Sequence, residues 1–126
     1  MSAEQLAMRL MSAEGDFSSE DLRRGKLSDT DWKRVFQTNQ TLASLPLFID
    51  DTPALSIAAI RTRARRLMRR HGLAMLVVDY LQLVRPATRS NQANRVQEIG
   101  EVTQGLKAIA KELNIPVLAL SQLSRA

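Results

Sequence analysis

The sequence lacks cysteine and contains a single histidine, His71. Disulfides, thiolate metal sites and multi-histidine metal centres are therefore excluded within it, and the lack of cysteine fits a reducing cytosol. Its apolar runs are far shorter than the roughly 20 residues that a bilayer-spanning helix needs, so no membrane association is expected. The opening stretch MSAEQLAMRL predicts an amphipathic helix rather than a secretory signal. We expect a cytoplasmic protein.

The composition is that of an ordinary soluble globular protein. The 126 residues are 44% hydrophobic and 25% charged, which is enough for one domain with a hydrophobic core. The formal net charge is +5. A basic balance of this size permits an anionic partner such as nucleic acid or nucleotide but does not require one.

Residues 1–45 are predicted to be mainly helical. Ser2 and Ser28 each stand three residues before a polar residue in the pattern of a helix N-cap, and a short helix is expected near 19–24. The apolar positions of the third helix, with Trp32 expected in the core, are Trp32, Val35, Phe36, Leu42 and Leu45.

Residues 46–126 predict the order strand, helix, strand, helix, strand. The segments are a strand over 46–50, a helix that begins at Thr52-Pro53 or Ser56 and ends at Gly72, a strand over 73–79, a helix over 96–113 and a strand over 116–122. Strands joined by long helices pair in parallel, and uninterrupted apolar strands predict a sheet covered on both faces. The expected fold is therefore α/β. Three strands make a thin sheet, so the sequence is expected to be an excerpt of a larger domain.

The apolar run LAMLVVDYLQL contains a carboxylate, Asp79, where its strand is expected to end. A charge removed from water is costly unless it is paired or binds a cation. Ligands of open parallel sheets bind beyond the carboxyl ends of the strands, and the three predicted strands end in Asp50 and Asp51, in Asp79, and in Ser121 and Gln122. Asp79 could support Mg²⁺ beside nucleotide phosphates, or it could cap a helix or pair with an arginine. Gln122 could serve such a site or bond neighbouring backbone.

Two basic segments can each be interpreted either as a binding surface or as solvated structure. The loop from Arg85 to Arg95 carries three arginines and no acidic residue. It could hold a nucleic-acid backbone, or it could be a solvated loop, and without an aromatic residue it does not support base stacking. The arginines over 61–70 are expected on a solvated helix face or at a subunit contact.

Several stretches, in order, resemble the bacterial replicative DNA helicase family DnaB, and more narrowly the middle of its RecA-like motor domain. They are MSAEQLAMRL, Asp31-Trp32, LFIDDTP, IRTRARRL, LVVDYLQL and GLKAIAKELNIPVLALSQLSR. The resemblance covers nearly the whole chain. It implies a single partial RecA-like domain over 1–126, of the P-loop ATPase type, with a parallel sheet flanked by helices.

The resemblance also implies an activity. This family forms homo-hexameric rings that hydrolyse ATP with Mg²⁺, move along single-stranded DNA and unwind duplexes, with primase and a helicase loader as partners. Asp79 matches the Walker B aspartate that supports Mg²⁺ through water. Gln122 matches the γ-phosphate sensor. The loop after LVVDYLQL matches a segment of the central channel, which makes DNA-contact candidates of Arg85, Arg89, Asn94 and Arg95.

Parts of the family's machinery have no match here. A phosphate loop of the form GxxxxGK[ST] does not occur in the 126 residues. The catalytic glutamate, the arginine finger and the N-terminal primase-contacting domain are likewise unmatched, so the chain alone is expected to be inactive. The alternative is a truncated, non-catalytic helicase relative that acts as a DNA-binding or ring-interaction module.

Overall fold

A computed structural model describes residues 2–86 and 95–123. Its internal contacts divide the chain into two compact units, Met1–Asp51 and Thr52–Ala126. Within the described ranges, no helix is both long and apolar enough to cross a membrane.

The first unit contains three helices, α1 (Ala3–Gly15), α2 (Ser19–Arg24) and α3 (Asp29–Ala43). A serine hydroxyl accepts a backbone N–H at the start of each helix, and at α1 the Gln5 side chain completes a capping box with Ser2. The three helix predictions are confirmed. Local capping chemistry is sufficient to set where these helices begin.

Helices α1 and α3 pack on each other around Thr38, which is buried. Gly15 permits this contact, because a Cβ there would lie 2.8 Å from Thr38 Oγ1. The prediction that Trp32 lies in the core is wrong: Trp32 is 44% exposed and Phe36 is 64% exposed. An apolar stripe enters a core only where another surface covers it, and the described residues cover these two side chains only in part.

The strand predicted over 46–50 is also wrong. This segment has no regular secondary structure, and Leu47 and Phe48 are exposed. A strand exists only through hydrogen bonds to a neighbouring strand, and the strands that pair in the described part of the chain lie elsewhere.

The second unit follows the predicted helix and strand order from residue 57 onward. It contains α4 (Ile57–His71), β1 (Leu76–Val78), a 3₁₀ turn (Leu81–Leu83), α5 (Arg95–Leu113) and β2 (Val117–Ala119). Of the two predicted caps of α4, Ser56 is the one observed, since its hydroxyl accepts from the Ala59 N–H. Gly72 ends the helix with a φ of 75°, as predicted.

Strands β1 and β2 pair in parallel, with Val78 opposite Ala119. The prediction of an α/β unit with a parallel sheet packed against helices is confirmed in this unit. One sheet face packs with α4 and α5 around a core whose buried residues are Ile60, Ala64, Val78, Val102, Leu106 and Ile109. The sheet was predicted to be covered on both faces, but cover on the second face is not seen among the described residues. Val77 and Leu118, which pair in register, are 55% and 48% exposed.

Close packing of α4 on α5 depends on a glycine. A Cβ at Gly105 would lie 2.4 Å from Cγ1 of Ile57, which is closer than two carbon atoms can approach. Because Gly105 has no side chain, Ile57 in the first turn of α4 can pack directly against the backbone of α5.

Candidate functional site

The carboxyl ends of β1 and β2 lie side by side, because the strands are parallel and adjacent. Asp79 directly follows β1, and Ser121 and Gln122 follow β2 by two and three residues. Pairing continues past the strand ends, since the Leu120 N–H donates to Val78 O at 2.9 Å and the Leu81 N–H donates to Leu120 O at 2.8 Å. The structure thus brings the predicted pair Asp79 and Gln122 to one edge of the sheet.

Gln82 binds the chain that follows β2. Its Nε2 donates to Gln122 O at 2.9 Å and to Ser121 Oγ at 3.1 Å, and its Oε1 accepts from the Gln122 N–H at 3.3 Å. Gln82 was not among the predicted site residues. A polar side chain between Leu81 and Leu83, in an otherwise apolar stretch, was the signal that could have found it.

Asp79 is exposed, so the desolvation cost expected from its apolar surroundings does not arise in this structure. The peptide bond between Asp79 and Tyr80 is cis. Among residues 2–86 and 95–123, no three acidic or histidine side chains cluster as a metal site. One exposed carboxylate fits a hydrated Mg²⁺, which usually keeps several waters and takes only one or two protein carboxylates together with substrate phosphates.

Two of the four DNA-contact candidates fall within the described residues. Arg85 is exposed and its backbone is fixed beside the start of α4: the Arg85 N–H donates to Leu55 O at 2.8 Å and Arg85 O accepts from the Ile57 N–H at 3.0 Å. Arg95 is the exposed first residue of α5 and lines a shallow pocket together with Gln82. Arg89 and Asn94 lie outside the described residues.

The arginine-rich helix α4 is largely solvated, as predicted, but two of its arginines hold α5. Arg61 Nε donates to Glu112 Oε2 at 3.0 Å, and Arg65 Nε donates to Glu112 Oε1 at 2.6 Å. Hydrogen bonds from Arg65 and then Arg61 lower the pKa of Glu112 below its ordinary value. The spacing of one helical turn between the two arginines lets both reach one carboxylate.

The whole chain is similar to one protein family. The sequence model of the family described as "DnaB-like helicase C terminal domain" matches residues 1–126. The chain is 60% identical, over all 126 residues, to the replicative DNA helicase DnaB of Rickettsia typhi, of which it covers 25%. It is 47% identical over 126 residues to DnaB of Geobacillus stearothermophilus, of which it covers 28%. The chain therefore spans about a quarter of the length of these relatives.

Solved structures agree with the sequence comparison. A solved ATPase domain superposes with a TM-score of 0.91 at 27% identity, over 99% of this chain and 45% of that one. A DnaB-like replicative helicase, described together with its interactions with primase, gives a TM-score of 0.90 at 27% identity over 99% of this chain and 30% of that one.

Proposed function

Because the chain belongs to the DnaB-like helicase C-terminal domain family, we propose that it is part of the motor of a replicative helicase, which couples ATP hydrolysis to the unwinding of duplex DNA. The observation that carries the proposal is the placement of Asp79 and Gln122 at the adjacent carboxyl ends of two parallel strands. In open α/β sheets this edge is where ligands bind. The family match over 1–126 supports treating both compact units as parts of one motor domain.

Asp79 is proposed to support Mg²⁺-ATP. Bound Mg²⁺ would neutralise charge on the β- and γ-phosphates, and the Asp79 carboxylate would hold waters of that ion. Its exposure at the strand end leaves room for the waters. No GxxxxGK[ST] stretch occurs in the 126 residues, so the chain by itself is not expected to bind ATP tightly or to hydrolyse it.

Gln122 is proposed to contact the γ-phosphate of ATP through its side-chain amide. A glutamine side chain offers both a donor and an acceptor, which suits a group that must respond to a phosphate and to its loss. Support comes from its position three residues after β2, whose neighbour β1 ends directly before Asp79, and from the hydrogen bonds that fix its backbone.

Single-stranded DNA is proposed to be the strand along which the motor moves. Arg85 and Arg95 are exposed cations at the two ends of the segment that follows Asp79, and guanidinium groups bind phosphates strongly. Arg89 and Asn94 are proposed on sequence alone. The wider proposal is a cytoplasmic homo-hexamer that works with primase and a helicase loader; the primase partner is supported by the superposed helicase described with primase.

A chimera tests the proposal. The 126 matched residues of the Rickettsia typhi helicase are replaced with this chain, and the product is called the helicase chimera. We expect it to hydrolyse ATP and to unwind a forked DNA duplex. A parallel chimera with the Geobacillus stearothermophilus segment controls for the replacement itself. An active control beside an inactive helicase chimera would contradict the proposal and favour a non-catalytic relative, which should bind single-stranded DNA without ATP.

A further inference from the structure

We infer that Gln82 is a positioning residue that sets the direction of the Gln122 side chain and mechanically connects Gln122 to Asp79. The inference rests on the proposed function and assigns to Gln82 a role in the same site. Gln82 itself is not placed against nucleotide. Its effect on the reaction would pass through Gln122.

The amide of Gln82 replaces a missing strand neighbour. Regular pairing of β1 with β2 ends at Val78 and Ala119, since the chain after β1 turns into the 3₁₀ segment Leu81–Leu83. Gln82 then presents an N–H and a C=O to the C=O and N–H of Gln122, at 2.9 and 3.3 Å. A side-chain amide has the same donor and acceptor pair as a peptide group, so the ladder is extended to Gln122.

Two further hydrogen bonds restrict the position of the chain that follows β2. Nε2 of Gln82 also donates to Ser121 Oγ at 3.1 Å, and the neighbouring Leu81 N–H donates to Leu120 O at 2.8 Å. The three residues that follow β2, 120–122, are therefore hydrogen-bonded to Leu81 and Gln82, which follow Asp79 closely in the chain. Because the Gln122 backbone is held at both its N–H and its C=O, the direction in which its side chain leaves is fixed.

These hydrogen bonds also connect the segment that carries Asp79 to the segment that carries Gln122. Gln82 is three residues after Asp79 on one short segment, so a shift of Asp79 on binding or losing Mg²⁺-nucleotide would be carried to the Gln122 backbone. The same segment continues to Arg85, whose backbone is bonded to Leu55 and Ile57. Gln82 thus stands between the proposed cation support and the start of the proposed DNA-contacting loop.

The hydrogen bonds of Gln82 join exposed groups. Such bonds compete with water and contribute little net stability. Removing them should leave the fold in place and disturb mainly the position of Gln122, which makes a positional role separable from a structural one.

The test measures steady-state ATP hydrolysis by the helicase chimera on single-stranded DNA. Gln82→Ala should lower kcat about tenfold while KM for ATP stays within about twofold, because a sensor of the γ-phosphate acts in the transition state rather than in uniform binding. Gln104→Ala, at an exposed glutamine of α5, is the matched control and should leave both constants unchanged. A kcat unchanged by Gln82→Ala would overturn the inference.

A double-mutant cycle separates positioning from general damage. Gln122→Ala removes the sensor side chain but keeps the backbone N–H and C=O that Gln82 binds. If Gln82 acts through Gln122, Gln82→Ala should cost nothing further in the Gln122→Ala background. An equal loss of kcat in both backgrounds would show that Gln82 acts elsewhere and would overturn the inference.

Gln82→Glu is a second variant that keeps the test valid if Gln82→Ala does not fold. A glutamate of the same length can still accept from the Gln122 N–H but cannot donate to Gln122 O. Its second carboxylate oxygen would face Gln122 O, and because both atoms are acceptors they would repel each other. The kcat of Gln82→Glu should therefore fall at least as far as that of Gln82→Ala, and a kcat equal to that of the unchanged chimera would count against the inference. An unchanged chimera without ATPase activity would instead refute the proposed function, so the two failures are distinguishable.

Discussion

Gln82 and Gln122 exchange two hydrogen bonds, with the Gln82 amide donating to Gln122 O at 2.9 Å and accepting from the Gln122 N–H at 3.3 Å. The residues are forty positions apart, yet the side chain of one completes the backbone pairing of the other. The edge of the sheet is therefore ordered beyond its last regular strand residue. In the proposed site, this order would hold the two polar strand ends in a fixed relation to each other.

Two glycines of α5 should respond to alanine in opposite directions. A Cβ at Gly105 would meet Ile57 at 2.4 Å, whereas at Gly100 nothing lies within 4 Å. Gly105→Ala should lower the free energy of unfolding by about 1–3 kcal/mol through overpacking. Gly100→Ala should raise it by up to about 1 kcal/mol because alanine favours the helix.

Urea unfolding of the 126-residue chain, followed by circular dichroism at low protein concentration, measures both effects. Gly100→Ala serves as the control for the change in helix propensity. Equal shifts in the same direction at both positions would contradict the close contact between α4 and α5.

The ion pairs of Glu112 should make stability depend on pH in a predictable sense. Arg65 and Arg61 lower the pKa of Glu112 from its ordinary 4.5 in the folded chain. A carboxyl with a lowered folded pKa contributes stability that is present above the unfolded pKa and is lost as the pH falls through the folded one. Stability should therefore decline as the pH falls from about 4.5.

Glu112→Gln should remove that part of the decline, as measured by urea midpoints across the acid range. Because the group is exposed, salt near 1 M should weaken the effect, since the Debye length is then only about 3 Å. Glu14→Gln, at an exposed carboxyl of α1, is the control for removal of one negative charge. A decline of unchanged size in Glu112→Gln would contradict the assignment.

Arg85 and Arg95 should contribute to DNA affinity without base specificity. In the helicase chimera, replacing both with alanine should weaken binding of single-stranded DNA. The slope of log K against log salt should become shallower by about 0.7 for each phosphate that an arginine no longer neutralises. Fluorescence anisotropy at several salt concentrations gives the slope. Replacing both Arg69 and Arg70, two exposed arginines of α4, with alanine controls for the loss of two positive charges, and a slope that changes equally in the control would refute a local interaction.

The isolated chain should self-associate. Val77 and Leu118 lie side by side on an exposed sheet face, and Trp32 and Phe36 are exposed on α3. Exposed apolar surface and unpaired strand edges favour association. Sedimentation velocity over a range of concentrations should show species larger than a monomer, and Val77→Thr with Leu118→Thr should shift the distribution towards monomer. A monodisperse monomer at high concentration would contradict this expectation.

Local signals in the sequence were sufficient for the helices. Ser2, Ser28 and Ser56 cap the helices they were expected to begin, and Gly72 ends α4. Capping and glycine chemistry act between neighbours along the chain, so they can be predicted without tertiary context. The alternation of apolar strands and helices likewise predicted parallel pairing of β1 with β2.

Features that depend on a distant partner were less predictable. The apolar segment 46–50 suggested a strand, but strand formation requires a neighbour that its own sequence does not specify. Asp79 was expected to carry a desolvation cost, yet the strand ends just before it and leaves it exposed. Gln82 was missed because only the spatial pairing of residues 82 and 122 reveals its contacts.

The central claim is that Asp79 supports Mg²⁺-ATP in a helicase motor, and its most direct test is DNA-stimulated ATP hydrolysis by the helicase chimera carrying Asp79→Asn. The change removes the charge but keeps the shape of the side chain. Asp29→Asn, at an exposed aspartate in the first turn of α3, is the matched control. We predict that kcat/KM falls by at least about a hundredfold in Asp79→Asn, as expected when a metal-supporting charge is removed, and stays within about twofold in Asp29→Asn. Equal activity of the Asp79→Asn and unchanged chimeras over a range of Mg²⁺ concentrations would contradict the claim.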